Sequence, residues 1–139
     1  MADIHDRFFD GLTNFLEVRS LVPHRGTDQG RDLIVARGGR VKVTANFAPS
    51  EPRVSVKLTV RREVPRGPTP LFDQLRAARE GESNLLEGEV EWCRDPTINQ
   101  SESRVQVCRT LHDESEDWRE HYEWIERQAT ILRRWAMSL

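Results

Sequence analysis

Two stretches of this chain alternate apolar and polar residues with a period of two. In "RVKVTANF" (40–47), Val41, Val43, Ala45 and Phe47 point one way, and Arg40, Lys42, Thr44 and Asn46 the other. "RVSVKLTVRR" (53–62) repeats the pattern with Val54, Val56, Leu58 and Val60. Such alternation marks strands with one greasy face and one wet face. The "APSEP" between them carries two prolines and turns the chain. An antiparallel sheet of this kind must have its apolar face covered by other elements, while the opposite face stays polar.

The remainder supplies the cover. A first helix is predicted over about residues 3–20, where Ile4, Phe8, Leu12 and Phe15 recur at helical spacing and Phe9 and Leu16 widen the stripe. "VPHRGTDQG" reads as a loop. "DLIVAR" reads as a strand, closed by a tight turn at Gly38 and Gly39. Pro70 suits the start of a second helix, which runs to about Leu86 with Leu71, Leu75, Ala78 and Leu85 inward. "GEVEWCRD" and "SRVQVCRTL" give two more strands, with Val90, Trp92, Val105 and Val107 inward. A final helix opens at Asp113 as N-cap. It is acidic in its first turn and carries Arg133 and Arg134 in its last, as the helix dipole prefers. The predicted fold is a single α+β domain over residues 1–139, of order αβββαββα, with a mostly antiparallel sheet packed by helices on one face. A chain of 139 residues is long enough for one real core.

The final helix holds three of the four tryptophans and the only tyrosine. Trp118, Tyr122, Ile125, Ala129, Leu132 and Ala136 share one stripe, sufficient to dock on the sheet. Trp124, Ile131 and Trp135 form a second stripe about 100° to one side. Two placements fit it. The helix can lie in an internal groove that buries both stripes, or the second stripe can meet another chain, since aromatic residues on a rigid helix are favoured interface anchors.

Several function classes are poorly served. No apolar run approaches the roughly 18 residues of a membrane span. The first residues carry acids where a signal peptide carries positive charge, so a cytoplasmic location is expected. Cys93 and Cys108 do not make a disulfide framework, though they could face each other on neighbouring strands. A restriction-type nuclease needs a second carboxylate two residues before its lysine. Asp32 and Lys42 are suitably placed, but Arg40 and Ser55 stand before Lys42 and Lys57. His5, His24, His112 and His121 have no metal-ligand spacing, and His121 reads as a border residue of the last helix. No phosphate-cradling glycine loop or nucleophile elbow is present.

Charge is uneven. Residues 1–68 hold 12 Lys/Arg against 8 Asp/Glu, and residues 69–139 hold 9 against 15. The wet side of the two alternating strands carries Arg40, Lys42, Arg53, Lys57 and Arg61, with Arg62 beyond, a patch suited to phosphates. It has no ring on which a base could stack.

The second half resembles an uncharacterised prokaryotic family, the domain of unknown function 4268. The likeness rests on "LFDQLRAAREGESNLLEGEVEW", through Phe72, Leu75, Arg79, Glu82 and Trp92, on Arg104 in "SRVQV", and on Trp118 and Trp124 of the last helix. It covers about residues 54–137, with Gly81 standing where the family prefers an apolar residue. The resemblance implies an α+β module acting beside other proteins of prokaryotic defence or mobile-element systems. It transfers no catalytic residue, and it implies an ion pair of Glu82 with Arg104 bracing helix on sheet.

The expectation for the whole chain is therefore a non-enzymatic protein-interaction module, self-associating as a homo-oligomer or docking on a larger protein, including an inhibitor or immunity role. Trp124, Ile131 and Trp135 are its contact residues. The alternative is an accessory nucleic-acid-binding domain using Arg40, Lys42, Arg53, Lys57, Arg61 and Arg62. Neither calls for a cofactor, a metal ion or a membrane.

Overall fold

The computed structural model describes residues 4–17, 24–25, 30–36, 40–61, 70–94, 102–111 and 118–139. Helix α1 is Ile4–Glu17, α2 is Pro70–Arg79 and α3 is Arg119–Met137. The strands are β1 (His24–Arg25), β2 (Gly30–Ala36), β3 (Val41–Ala48), β4 (Arg53–Arg61), β5 (Glu89–Cys93) and β6 (Glu102–Thr110). The order αβββαββα stands, with the short β1 added inside the segment expected to be loop. The expected turn at Gly38 and Gly39 and the expected cap at Asp113 lie outside the described residues.

The sheet runs β1-β2-β3-β4-β6-β5, with every neighbouring pair antiparallel. β6 is inserted between β4 and β5, so the last strand in sequence joins the centre. Val41, Val43, Ala45, Val54, Val56, Leu58, Val105 and Val107 are all fully buried on the inner face. In β2 a register shift between Asp32 and Ile34 lets both Leu33 and Ile34 turn inward. Arg31 lies over the Phe9 ring at 4.5 Å, a cation–π contact that the apolar reading of this strand did not include.

Helix α3 lies across the centre of that face, against β2, β3 and β4. Its first stripe is buried as the spacing predicts, with Ile125, Ala129 and Leu132 wholly inaccessible. On one flank it meets α1. Phe8 stacks on Phe47 (4.1 Å between centroids) and sits edge-on to Trp118 (5.2 Å), and the Tyr122 hydroxyl donates to the Phe8 carbonyl at 2.8 Å. Gly11 is required here, because a methyl at that position would fall on the Tyr122 hydroxyl.

The other flank settles the second stripe. Trp124 and Trp135 are each 2% exposed within the protomer, and Ile131 is partly buried against the same core. Trp135 stacks on Trp92 at 5.9 Å, and Trp92 in turn meets Phe72 of α2. Trp124 donates its indole N–H to the Glu87 carbonyl at 2.6 Å. These rings are therefore corrected from partner contacts to core. The turn before β5, together with α2, forms the wall that covers them.

That turn is clasped by α3. The Glu87 backbone N–H donates to Gln128 Oε1 (2.9 Å), and Gln128 Nε2 donates back to Glu87 Oε2 (2.8 Å). Arg127 Nε adds a 2.7 Å bond to the same carboxylate oxygen. Gln128 is fully buried, so these bonds satisfy an amide that water cannot reach. Next to it, Gly88 has φ +154°, and a side chain there would collide with the Cys108 carbonyl.

Two inward assignments in the second helix are also corrected. Ala78 is exposed and Leu85 is 52% exposed, while Phe72 and Leu86 are buried. The helix tightens to 3₁₀ over Glu80–Leu85, and three residues per turn instead of 3.6 rotates Leu85 outward. His121 is buried, not at the border.

Trp135→Ala should lower unfolding free energy by about 3–5 kcal/mol in urea melts. Its mass by light scattering should equal that of the wild type, and a loss of oligomer would contradict the internal placement. Glu87→Ala should cost about 1–3 kcal/mol at neutral pH, since the buried Gln128 amide N–H loses its acceptor. The bond from Arg127 holds the Glu87 carboxyl below its usual 4.5. A depressed pKa stabilises the fold above that value and ceases to do so as pH falls through the lowered one. The gap between wild type and variant should thus narrow in melts at progressively lower pH.

Candidate functional site

All three helices pack on the inner face, and among the described residues no helix lies over the other. The pairing register fixes what that outer face presents. Gly30, Asn46, Ser55 and Cys108 lie side by side across β2, β3, β4 and β6. The adjacent row is Asp32, Thr44, Lys57, Gln106 and Glu91. Short side chains beside long ones make a trench, because successive outward residues stand about 6.6 Å apart along a strand.

The trench is an open groove of about 260 Å³. Its floor is Asn46, Ala48, Ser55 and Cys108, and its walls are Glu51, Arg53, Lys57, Arg104 and Gln106. Three cations against one carboxylate leave it positive. Across the described residues, seven cations pair with carboxylates. Arg109 bonds Glu120 at 3.0 Å, Arg127 bonds Glu87, Arg79 bonds Glu82 at 2.7 Å and Arg94 bonds Asp73 at 3.1 Å. Among the described residues Arg53, Lys57 and Arg104 form no ion pair.

The basic positions expected from sequence separate accordingly. Arg53 and Lys57 line the groove. Lys42 lies one row away and is engaged by Asp32 at 3.7 Å, whose other oxygen accepts from Thr44 Oγ1 at 2.9 Å. Arg61 sits at the far end of β4, its N–H bonded to the Arg40 carbonyl, and Arg62 lies outside the described residues. Arg104 and Gln106 were not foreseen as part of this face. Their alternation in "SRVQV" placed them outward, but only the β4–β6 pairing puts them beside Lys57. The Glu82–Arg104 pair implied by the family resemblance is not formed. Glu82 bonds Arg79, and Arg104 belongs to the groove.

Other chemistry is sparse. Among the described residues no three His, Cys, Asp or Glu side chains gather as a metal site. The cysteines share a face but not a position. Cys93 is opposite Arg104, and Cys108 is four residues further along β6, about 13 Å away. A disulfide needs Cα atoms within roughly 7 Å. Burial pushes the Cys108 thiol up, and Arg53 opposes this only in part, so at neutral pH it is a protonated floor group rather than a nucleophile. No helix among the described residues is long and apolar enough to cross a membrane.

No family model, curated protein or solved structure matches the chain.

The thiols should differ in reactivity. At neutral pH an alkylating reagent should label the half-buried Cys93 well before the buried Cys108, read by peptide mass spectrometry. Equal labelling would contradict the floor assignment.

Proposed function

We propose that this chain is a non-enzymatic interaction module that meets a protein partner through the helix-free face of its sheet. The observation that carries this reading is the groove on that face, which Arg53, Lys57 and Arg104 line without an ion pair among the described residues. Cations left unmatched in the fold are available to an acidic surface. The bands of opposite charge beside them fit a folded or peptide partner better than a uniform polyanion. Asp32 lies toward one side of the sheet, and Glu89 and Glu91 lie on β5 at the other. The resemblance of residues 54–137 to the domain of unknown function 4268 accords with this reading, because it implies a module that acts beside other proteins. Self-association through Trp124 and Trp135 forms no part of the proposal, since both rings are core.

A second reading has one specific observation behind it. Arg53, Lys57 and Arg61 point outward from a single strand at every fourth residue, about 13 Å apart, as a phosphate backbone could use. No aromatic ring stands among the outward residues of β3, β4 and β6, so bases would find no stacking platform.

Affinity-tagged wild type and the double variant Lys57→Glu/Arg104→Glu, expressed in cells that encode the chain, decide between these. A stoichiometric protein should co-purify with wild type and be lost from the variant. Equal recovery from both sinks the protein reading. Binding of a labelled single-stranded oligonucleotide should be absent at about 50 mM salt; binding there that falls steeply by about 200 mM would favour the second reading instead.

A further inference from the structure

We infer that the groove is a subsite for a phosphate monoester, presented as a phosphorylated side chain on an extended segment of the protein partner. This rests on the reading of the helix-free face as the contact surface, and it names the chemistry of that contact.

Charge selects the ligand. Arg53, Lys57 and Arg104 against Glu51 leave three positive charges and one negative, a net of +2. A carboxylate brings one negative charge, whereas a phosphorylated serine or threonine brings about 1.5 to 2 at pH 7. The donors match as well. The Arg104 guanidinium fork suits bidentate contact with phosphoryl oxygens, its diagonal neighbour Lys57 adds a point charge, and Arg53 adds positive charge from the other end of the groove. The Asn46 amide and the Ser55 hydroxyl provide neutral donors at the floor, while the Gln106 amide at the rim donates to Glu91 at 3.4 Å.

Shape selects the carrier. Sites for free small molecules enclose most of their ligand and run from about 300 to 1,000 Å³. This groove, at about 260 Å³, is smaller and open. It accommodates one charged group, not a whole metabolite. Its floor runs across the sheet through Ser55 to Cys108, and toward Gly30 it is closed by the Asn46 side chain, whose Oδ1 would lie 2.5 Å from a Cβ at that glycine. Because the groove is open, the carrier chain can lie over the sheet surface while one side chain is held at the cations.

The test is an NMR titration of the isotope-labelled protein with a short glycine–alanine peptide carrying one central phosphoserine. The amide signals of Asn46, Ser55 and Gln106 should shift. The same peptide with serine should produce no shift, and with glutamate it should bind at least about tenfold more weakly. Inorganic phosphate alone should also bind at least about tenfold more weakly than the phosphopeptide. Arg104→Gln should weaken phosphopeptide binding at least about tenfold. Ser55→Leu, which fills the floor, should do the same, and Arg133→Gln on the exposed side of α3 should change nothing. Circular dichroism melts confirm that each variant is folded. Equal affinity for the glutamate peptide, equal affinity for inorganic phosphate, no binding of the phosphopeptide, or shifts confined to other faces would each overturn the proposal. If the phosphopeptide fails while Lys57→Glu/Arg104→Glu still loses its co-purifying protein, the subsite is wrong and the contact face stands. If both fail, the face itself is wrong.

Discussion

A sheet of six strands is wider than any one helix. At about 4.8 Å between strands the described sheet spans roughly 24 Å, while a helix with its side chains is about 10–12 Å across. An apolar face that wide needs more than one helix, and the central one must be greasy on both flanks as well as underneath. That requirement explains the ring content of α3. Its lower stripe meets the sheet, Tyr122 reaches toward α1, and Trp124 and Trp135 reach toward α2 and the Glu87 turn. The clasp between Glu87 and Gln128 then fixes the angle at which β5 leaves the helical layer, because both ends of a buried amide are committed to one residue.

Much of this was legible from residue order. The alternation in β3 and β4 gave their inward faces residue by residue, and the 3.6 period gave the first stripe of α3. What was hidden has a common physical origin: it depends on which element becomes whose neighbour. The angle of Trp124 and Trp135 on the helix was correctly read, but an angle does not say whether the neighbour is the same chain or another. The placement of Arg104 beside Lys57 follows from β6 entering between β4 and β5, which no local pattern encodes. The same insertion sets Cys93 and Cys108 four residues apart in register. Leu85 was misplaced for a different reason, the change from α to 3₁₀ winding after Arg79.

The charges divide into two populations. Among the described residues, six arginines on and beside the helices meet carboxylates, each exposed pair contributing at most about 1 kcal/mol. Those around the groove line it at different heights, Arg53 six residues from Arg104 in register, with Glu51 in the lining and Glu89 and Glu91 on the neighbouring strand. Like charges on adjacent strands are mildly unfavourable to folding. A local cost with no compensation inside the described fold is the pattern expected where a surface is shaped for a ligand rather than for stability.

The inserted strand also sets the order in which the surface comes into being. Arg53 and Lys57 are synthesised early, whereas Arg104 and Gln106 arrive only after the second helix and β5 have been made. A nascent chain exposing β3 and β4 alone carries half a groove, without the second guanidinium fork or its amide neighbour. On the proposed reading, recognition is thus a late property of translation. Fragments that stop short of β6 should be blind to the ligand even where their hairpins are native-like.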